Sequence, residues 1–75
     1  MNEYTAKKIR AFMGILKKLG VSKDEICGIC SLLKTEDMLL EIVDRLEERN
    51  FKLSPEETVA LCLKIIAKHI KNQEI

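Results

Sequence analysis

Apolar residues in this chain recur at spacings of three and four and never alternate with a strand's period of two. Short polar punctuation breaks them into four runs. In the first, Ile9, Phe12, Met13, Leu16 and Leu19 share one face and predict a helix over 3–19, with Asn2 as its cap. Gly20 stands where a left-handed residue ends a helix, and Val21 is placed for the accompanying apolar contact. Ser22 and Glu25 form an S-x-x-E capping box and open a second helix over 23–33. Its buried face is Ile26, Ile29, Cys30 and Leu33, and Gly28 at its middle weakens it by about 1 kcal/mol relative to alanine. Thr35 caps a third helix over 36–49, where Glu36 and Asp37 complement the positive helix end. Met38, Leu39, Ile42, Val43 and Leu46 point one way on it, whereas Asp37, Glu41, Asp44 and Glu48 point the other. Asn50 is a left-handed stop, followed by a short connection anchored by Phe51 and Leu53. Ser54 as cap, Pro55 at the first helical position and Glu57 closing a second capping box begin the fourth helix, 55–72. The reading is all-α, a compact bundle of four helices with short connections, in a single domain over 1–75.

The fourth helix dominates the pattern. Nine of the thirteen residues in Thr58–Ile70, TVALCLKIIAKHI, are apolar. At about 100° per residue, Val59, Cys62, Leu63, Ile66 and Ile70 make the main stripe. Ala60 and Ala67 widen it on one side, Leu61 and Ile65 on the other, leaving Glu57, Lys64, Lys68 and Lys71 as a narrow polar seam. Leu61 and Ile65 are the excess. Either the short second helix covers them, or with Lys68 they form a protein interface. Ile15 and Leu40 are lesser outliers on the first and third helices.

Seventy-five residues support one small core, near the lower limit for folding alone, so oligomerisation is a natural supplement. A composition 47% hydrophobic and 33% charged is too apolar for disorder and too interrupted for a membrane span. The segment MNEYTAKKIRAF lacks the apolar run of a secretion signal, and three cysteines do not suit a disulfide framework. A reducing bacterial cytoplasm is the expected setting. The net charge is only +1, which argues against wholesale electrostatic capture of nucleic acid. Yet the charges are segregated. Lys7, Lys8, Arg10, Lys17 and Lys18 lie on the first helix, and Lys7, Arg10, Lys17 and Lys18 surround Gly14 as candidate phosphate contacts. Asp37, Glu41, Asp44 and Glu48 form an acidic stripe on the third, where like charges at these spacings cost a few tenths of a kcal/mol per pair. The stripe is a solvated face, a partner for the first helix, or a site for a basic partner.

Three constellations have chemical readings. Cys27 and Cys30 form a C-x-x-C, but a full helical turn precedes it and no strand does, unlike the redox motif. With Cys62 and His69 the pair reaches a Cys₃His count, that of a structural zinc site. Zinc ligands of this spacing usually sit on turns, and Cys27 points away from the face centred on Ile26, so no metal and no cofactor are expected. The segment Leu19-Gly20-Val21-Ser22, followed by Ile26, resembles the turn of helix-turn-helix DNA-binding proteins over about twenty residues. The resemblance implies Gly20 as turn glycine and Ile26 as the docking residue of a recognition helix. It departs at Leu16, where that family has a small residue, and the implied recognition helix offers Asp24 and Glu25 but no Arg, Asn or Gln for base readout. Finally, one histidine, no glycine-rich phosphate loop and only adjacent carboxylates (Glu47-Glu48, Glu56-Glu57) leave no catalytic set. The sequence reads as a non-enzymatic protein–protein interaction module that binds a partner protein or itself, with nucleic-acid binding as the alternative.

Overall fold

In the computed structural model, which describes the backbone of residues 3–73 and the side chains of residues 5–72, the four helices form as their punctuation dictates. They are α1 (Glu3–Lys18), α2 (Lys23–Leu32), α3 (Glu36–Glu48) and α4 (Pro55–Gln73). The expected cap Asn2 lies outside the described residues.

The helix ends show why the boundaries fall there. At the end of α1, the Val21 N–H donates to the Leu16 carbonyl at 3.1 Å and the Gly20 N–H to that of Lys17 at 3.0 Å. This is the pair of hydrogen bonds of a Schellman motif, which needs a left-handed residue, and Gly20 supplies it at φ +89°. A Cβ on Gly20 would also meet the Pro55 ring at 3.0 Å, so the turn glycine doubles as the seat of α4's first residue. The same motif ends α3: Phe51 donates to Leu46 and Asn50 to Glu47, both at 2.9 Å. Here Asn50 (φ 55°) and Phe51 (φ 56°) are both left-handed. A second such residue was not foreseen, and Phe51, expected to anchor the connection, is 40% exposed.

Helix starts follow the capping residues. The Glu25 N–H donates to Ser22 Oγ at 3.2 Å and the Met38 N–H to Thr35 Oγ1 at 3.3 Å. The capping box of α4 is reciprocal: Glu57 N–H to Ser54 Oγ at 3.1 Å, Ser54 N–H to Glu57 Oε1 at 3.2 Å.

α1 packs against α2 and α3, and α4 against α2 and α3, which closes a ring in the order α1–α2–α4–α3. All four helices feed one core: Phe12 and Leu16, Ile26 and Ile29, Met38, Leu39, Ile42 and Leu46, then Cys62, Ile65 and Ile66. Val21 and Leu33 join it from the ends of the α1–α2 turn and of α2. No helix among the described residues is long and apolar enough to cross a membrane.

α4 is turned relative to the expected stripe. Its buried face is Thr58, Cys62, Ile65 and Ile66, with Leu61 packed beside it, while Leu63 (44%) and Ile70 (38%) are exposed. The centre has moved by about 70° around the helix. Of the two outcomes open for Ile65, burial holds: it is 4% exposed and belongs to the chain's own core, not to a surface with Leu61 and Lys68. Polar residues explain the turn. The Thr58 hydroxyl satisfies itself on the Ser54 carbonyl at 2.8 Å, and His69 satisfies a ring nitrogen on Glu41 at 3.0 Å. Both therefore occupy the inner side, which hydropathy alone assigns to Leu63 and Ile70.

Candidate interaction surfaces

Three faces of the ring carry the residues singled out by sequence. On α3, the acidic stripe divides. Glu41 is half-buried and turned toward α4, where it accepts from Lys68 Nζ at 2.9 Å and pairs with His69 Nε2 at 3.0 Å. The hydrogen bond from Lys68, then that from His69, holds its carboxyl below the usual carboxylate range. Lys68 thus contributes to a clamp between α3 and α4, with its side chain still 56% exposed. Glu48 pairs with Arg45 at 2.9 Å. Asp37 and Asp44 stay at the surface with Glu47, and the three border a shallow depression around Leu40, which is 43% exposed. On the neighbouring helix pair, Lys8 of α1 reaches Glu36 at the start of α3. That contact is the part of the stripe's flank that does face α1.

On α1, Lys7, Arg10, Lys17 and Lys18 are all exposed, and none has an ion-pair partner among the described residues. They surround Gly14, above which a Cβ would meet no atom within 4 Å. One border of this face deepens into a groove of about 490 Å³ between α1 and α2. Met13, Val21 and Ile26 give it apolar walls, Gly14 leaves it open, and Lys17, Lys23 and Cys27 stand at its edges. Sequence reading found the four cations but not the groove, since the groove depends on how α2 folds back across α1 after Gly20. On α2, Asp24 and Glu25 are exposed beside Lys23, and Leu16 is fully buried where the helix-turn-helix resemblance calls for a small residue.

The cysteines do not assemble into a site. Cys27 is exposed, Cys30 half-buried and Cys62 buried. Burial, and secondarily Cys30, pushes the Cys62 thiol up to about 11. Burial and then Cys27 raise Cys30 as well. His69, the fourth member of the Cys₃His set, is engaged by Glu41 instead. Among the described residues no group of three or more His, Cys, Asp or Glu side chains is placed to hold a metal ion.

On α4, the outward rotation leaves a seam that sequence reading assigned to the core. Ala60, Leu63, Ala67 and Ile70 are exposed at i, i+3, i+7 and i+10, a small–large alternation along one line. Lys64 and Lys71 are exposed beside it. The signal that would have found this seam is the partner geometry of Thr58 and His69, each four residues or one helix away from its acceptor.

Comparison with family models, with curated proteins and with solved structures found no match to this chain.

Proposed function

We propose that this protein is a non-enzymatic helical interaction module that docks a partner protein along the outer seam of α4. The observation that carries the reading is the exposure of Leu63 and Ile70 on one line with Ala60 and Ala67. Two large apolar side chains left in water on a chain this small forgo roughly 1 kcal/mol or more each of available burial. Apolar positions spaced three and four apart suit the apolar face of a partner helix, and the two alanines let its backbone come close. Lys64 and Lys71 favour acidic flanks on that partner. A reducing bacterial cytoplasm suits three unpaired thiols. The non-enzymatic reading draws on the chain's single histidine, which is hydrogen-bonded to Glu41.

The test is site-specific photo-crosslinking in source cells from position 67, with position 31, exposed on α2 and outside both surfaces, as control. A discrete adduct from position 67 alone, lost in Leu63→Ser with Ile70→Ser, is the expected result. Equal labelling from both positions would sink the proposal. A second reading, nucleic-acid binding through α1, draws on the four exposed cations around Gly14. It requires duplex affinity that falls steeply with salt and vanishes in Arg10→Glu with Lys17→Glu.

A further inference from the structure

The acidic face of α3 around Leu40 and the basic groove between α1 and α2 are complementary in charge. One is lined by Asp37, Glu41, Asp44, Glu47 and Glu48 around an exposed leucine, Leu40, with Arg45 as its one cation, held on Glu48. The other is an apolar trough, opened by Gly14 and edged by Lys17 and Lys23. Neither Asp37, Asp44 and Glu47 nor the two amines have an ion-pair partner within the chain among the described residues. We infer that the occupant of the groove is the α3 face of a second copy of this protein, with Leu40 seated over Gly14 and its carboxylates against Lys17 and Lys23.

Several features support a second copy as the occupant. The chain's charge is nearly balanced at +1, so two copies approach without net repulsion, and the segregation of sign then orients them. In the ring α1–α2–α4–α3, the α1–α2 edge lies opposite the edge formed by α4 and α3. A contact between two different surfaces of one molecule is heterologous, and repetition builds a ring or an open head-to-tail chain instead of a two-fold dimer. The surfaces used are also separate from the α4 seam, so this contact and the proposed partner site can be occupied together. Because charge supplies the orientation, the assembly is strongest at low ionic strength and screened at high.

Heterologous docking makes a distinctive prediction for paired variants. Lys17→Glu with Lys23→Glu destroys the groove's charge and leaves the α3 face intact. Asp44→Lys with Glu47→Lys does the reverse, and Glu47 lies in the last turn of α3, where a cation suits the helix end. Mass is read by sedimentation equilibrium up to about 1 mM protein, at roughly 20 mM and roughly 500 mM salt. The native chain is expected to grow in mass with concentration at low salt and to be monomeric at high salt. Each double variant alone is expected to be monomeric with native helicity. Their equimolar mixture is expected to stop at a 1:1 dimer, because each copy then has one functional surface. Leu40→Ser, at a position 43% exposed, is expected to weaken native association about three- to tenfold, and Leu63→Ser with Ile70→Ser to leave it unchanged. A native chain that stays monomeric at low salt, or a mixture that fails to pair, overturns the inference. So does association that survives both charge variants but disappears in Leu63→Ser with Ile70→Ser, an outcome that would instead place self-association on the α4 seam.

Discussion

The rotation of α4 can be tested by a pair of alanine substitutions whose effects the two possible registers rank oppositely. Ile65 is 4% exposed in a cluster with Cys62, Ile66 and Ile42, whereas Leu63 is 44% exposed. Truncating a buried isoleucine to alanine removes its transfer free energy and leaves a cavity, at about 2–5 kcal/mol. Alanine's better helix propensity returns only a few tenths of a kcal/mol. Leu63→Ala forfeits about half of a leucine's burial without a cavity, so about 1 kcal/mol or less is expected. For 75 residues the whole stability is roughly 4–11 kcal/mol. The unfolding entropy near the midpoint is about 0.16 kcal/mol/K, so each kcal/mol moves Tm by about 6 °C. Ile65→Ala should therefore lower Tm by about 12–30 °C, and Leu63→Ala by about 6 °C at most. Urea unfolding followed by helical circular dichroism supplies the check, with an unchanged m value needed to read the shift as stability. If Leu63→Ala proves as costly as Ile65→Ala, the helix sits in the register that its hydropathy suggests, and the exposed seam does not exist.

Two further predictions follow from local geometry. Gly28→Ala should stabilise the protein by about 0.5–1 kcal/mol, because a Cβ there meets nothing within 4 Å. Gly20→Ala should destabilise it by more than that, since φ is +89° and the new Cβ would stand 3.0 Å from the Pro55 ring; thermal melts of the two single variants give both signs. Acid sensitivity is the other. Glu41 and Glu57 have depressed pKa values, Glu41 first through Lys68 and Glu57 first through the Ser54 backbone N–H. Groups depressed in the folded state stabilise it above their unfolded value of 4.5 and lose that contribution as pH falls through the folded value. Urea midpoints should hold through neutral pH and fall on acidification below about 4.5, less steeply in Glu41→Gln. An identical acid limb in that variant would mean the α3–α4 clamp contributes nothing.

What the sequence makes legible here is local. Ser22, Thr35 and Ser54 are read correctly as caps because a capping hydroxyl and its N–H lie three residues apart, within a single turn. Gly20 and Asn50 are legible for the same reason: left-handed backbone restricts residue type at one position. The faces of α1, α2 and α3 follow from their periodicity, since on those helices every strongly apolar residue but Leu32, Leu40 and Ile15 falls on one side. α4 defeats that logic by being apolar over most of its circumference. On such a helix the few polar groups weigh in the choice of buried side: Thr58 is satisfied locally on the Ser54 carbonyl, but His69 and Lys68 have tertiary partners. His69 reaches Glu41 across twenty-eight residues, and Lys68 reaches it across twenty-seven. The groove beside Gly14 was hidden for a related reason: its walls come from α1, the turn and α2 together.

The acidic stripe of α3 shows how the same partnering separates structural charge from charge left over. Side by side on one helix, its carboxylates repel, so the stripe is not there for the helix's own sake. The fold neutralises part of it. Within it, Glu41 takes Lys68 and His69 from α4 and Glu48 takes Arg45 of α3; on its flank, Glu36 takes Lys8 from α1. Exposed pairs of this kind contribute little each, at most about 1 kcal/mol, but they fix which carboxylates are occupied. Asp37, Asp44 and Glu47 remain, gathered around an exposed leucine on the side of α3 that no other helix covers. A solvated face meant only for solubility gains nothing from Leu40 at its centre; alanine or lysine would serve the helix as well or better. In the proposed contact with a second copy, Leu40 is the apolar group and the unpaired carboxylates around it set the sign of its partner. On this chain the matching cations and the open apolar trough occur together in one place, beside Gly14.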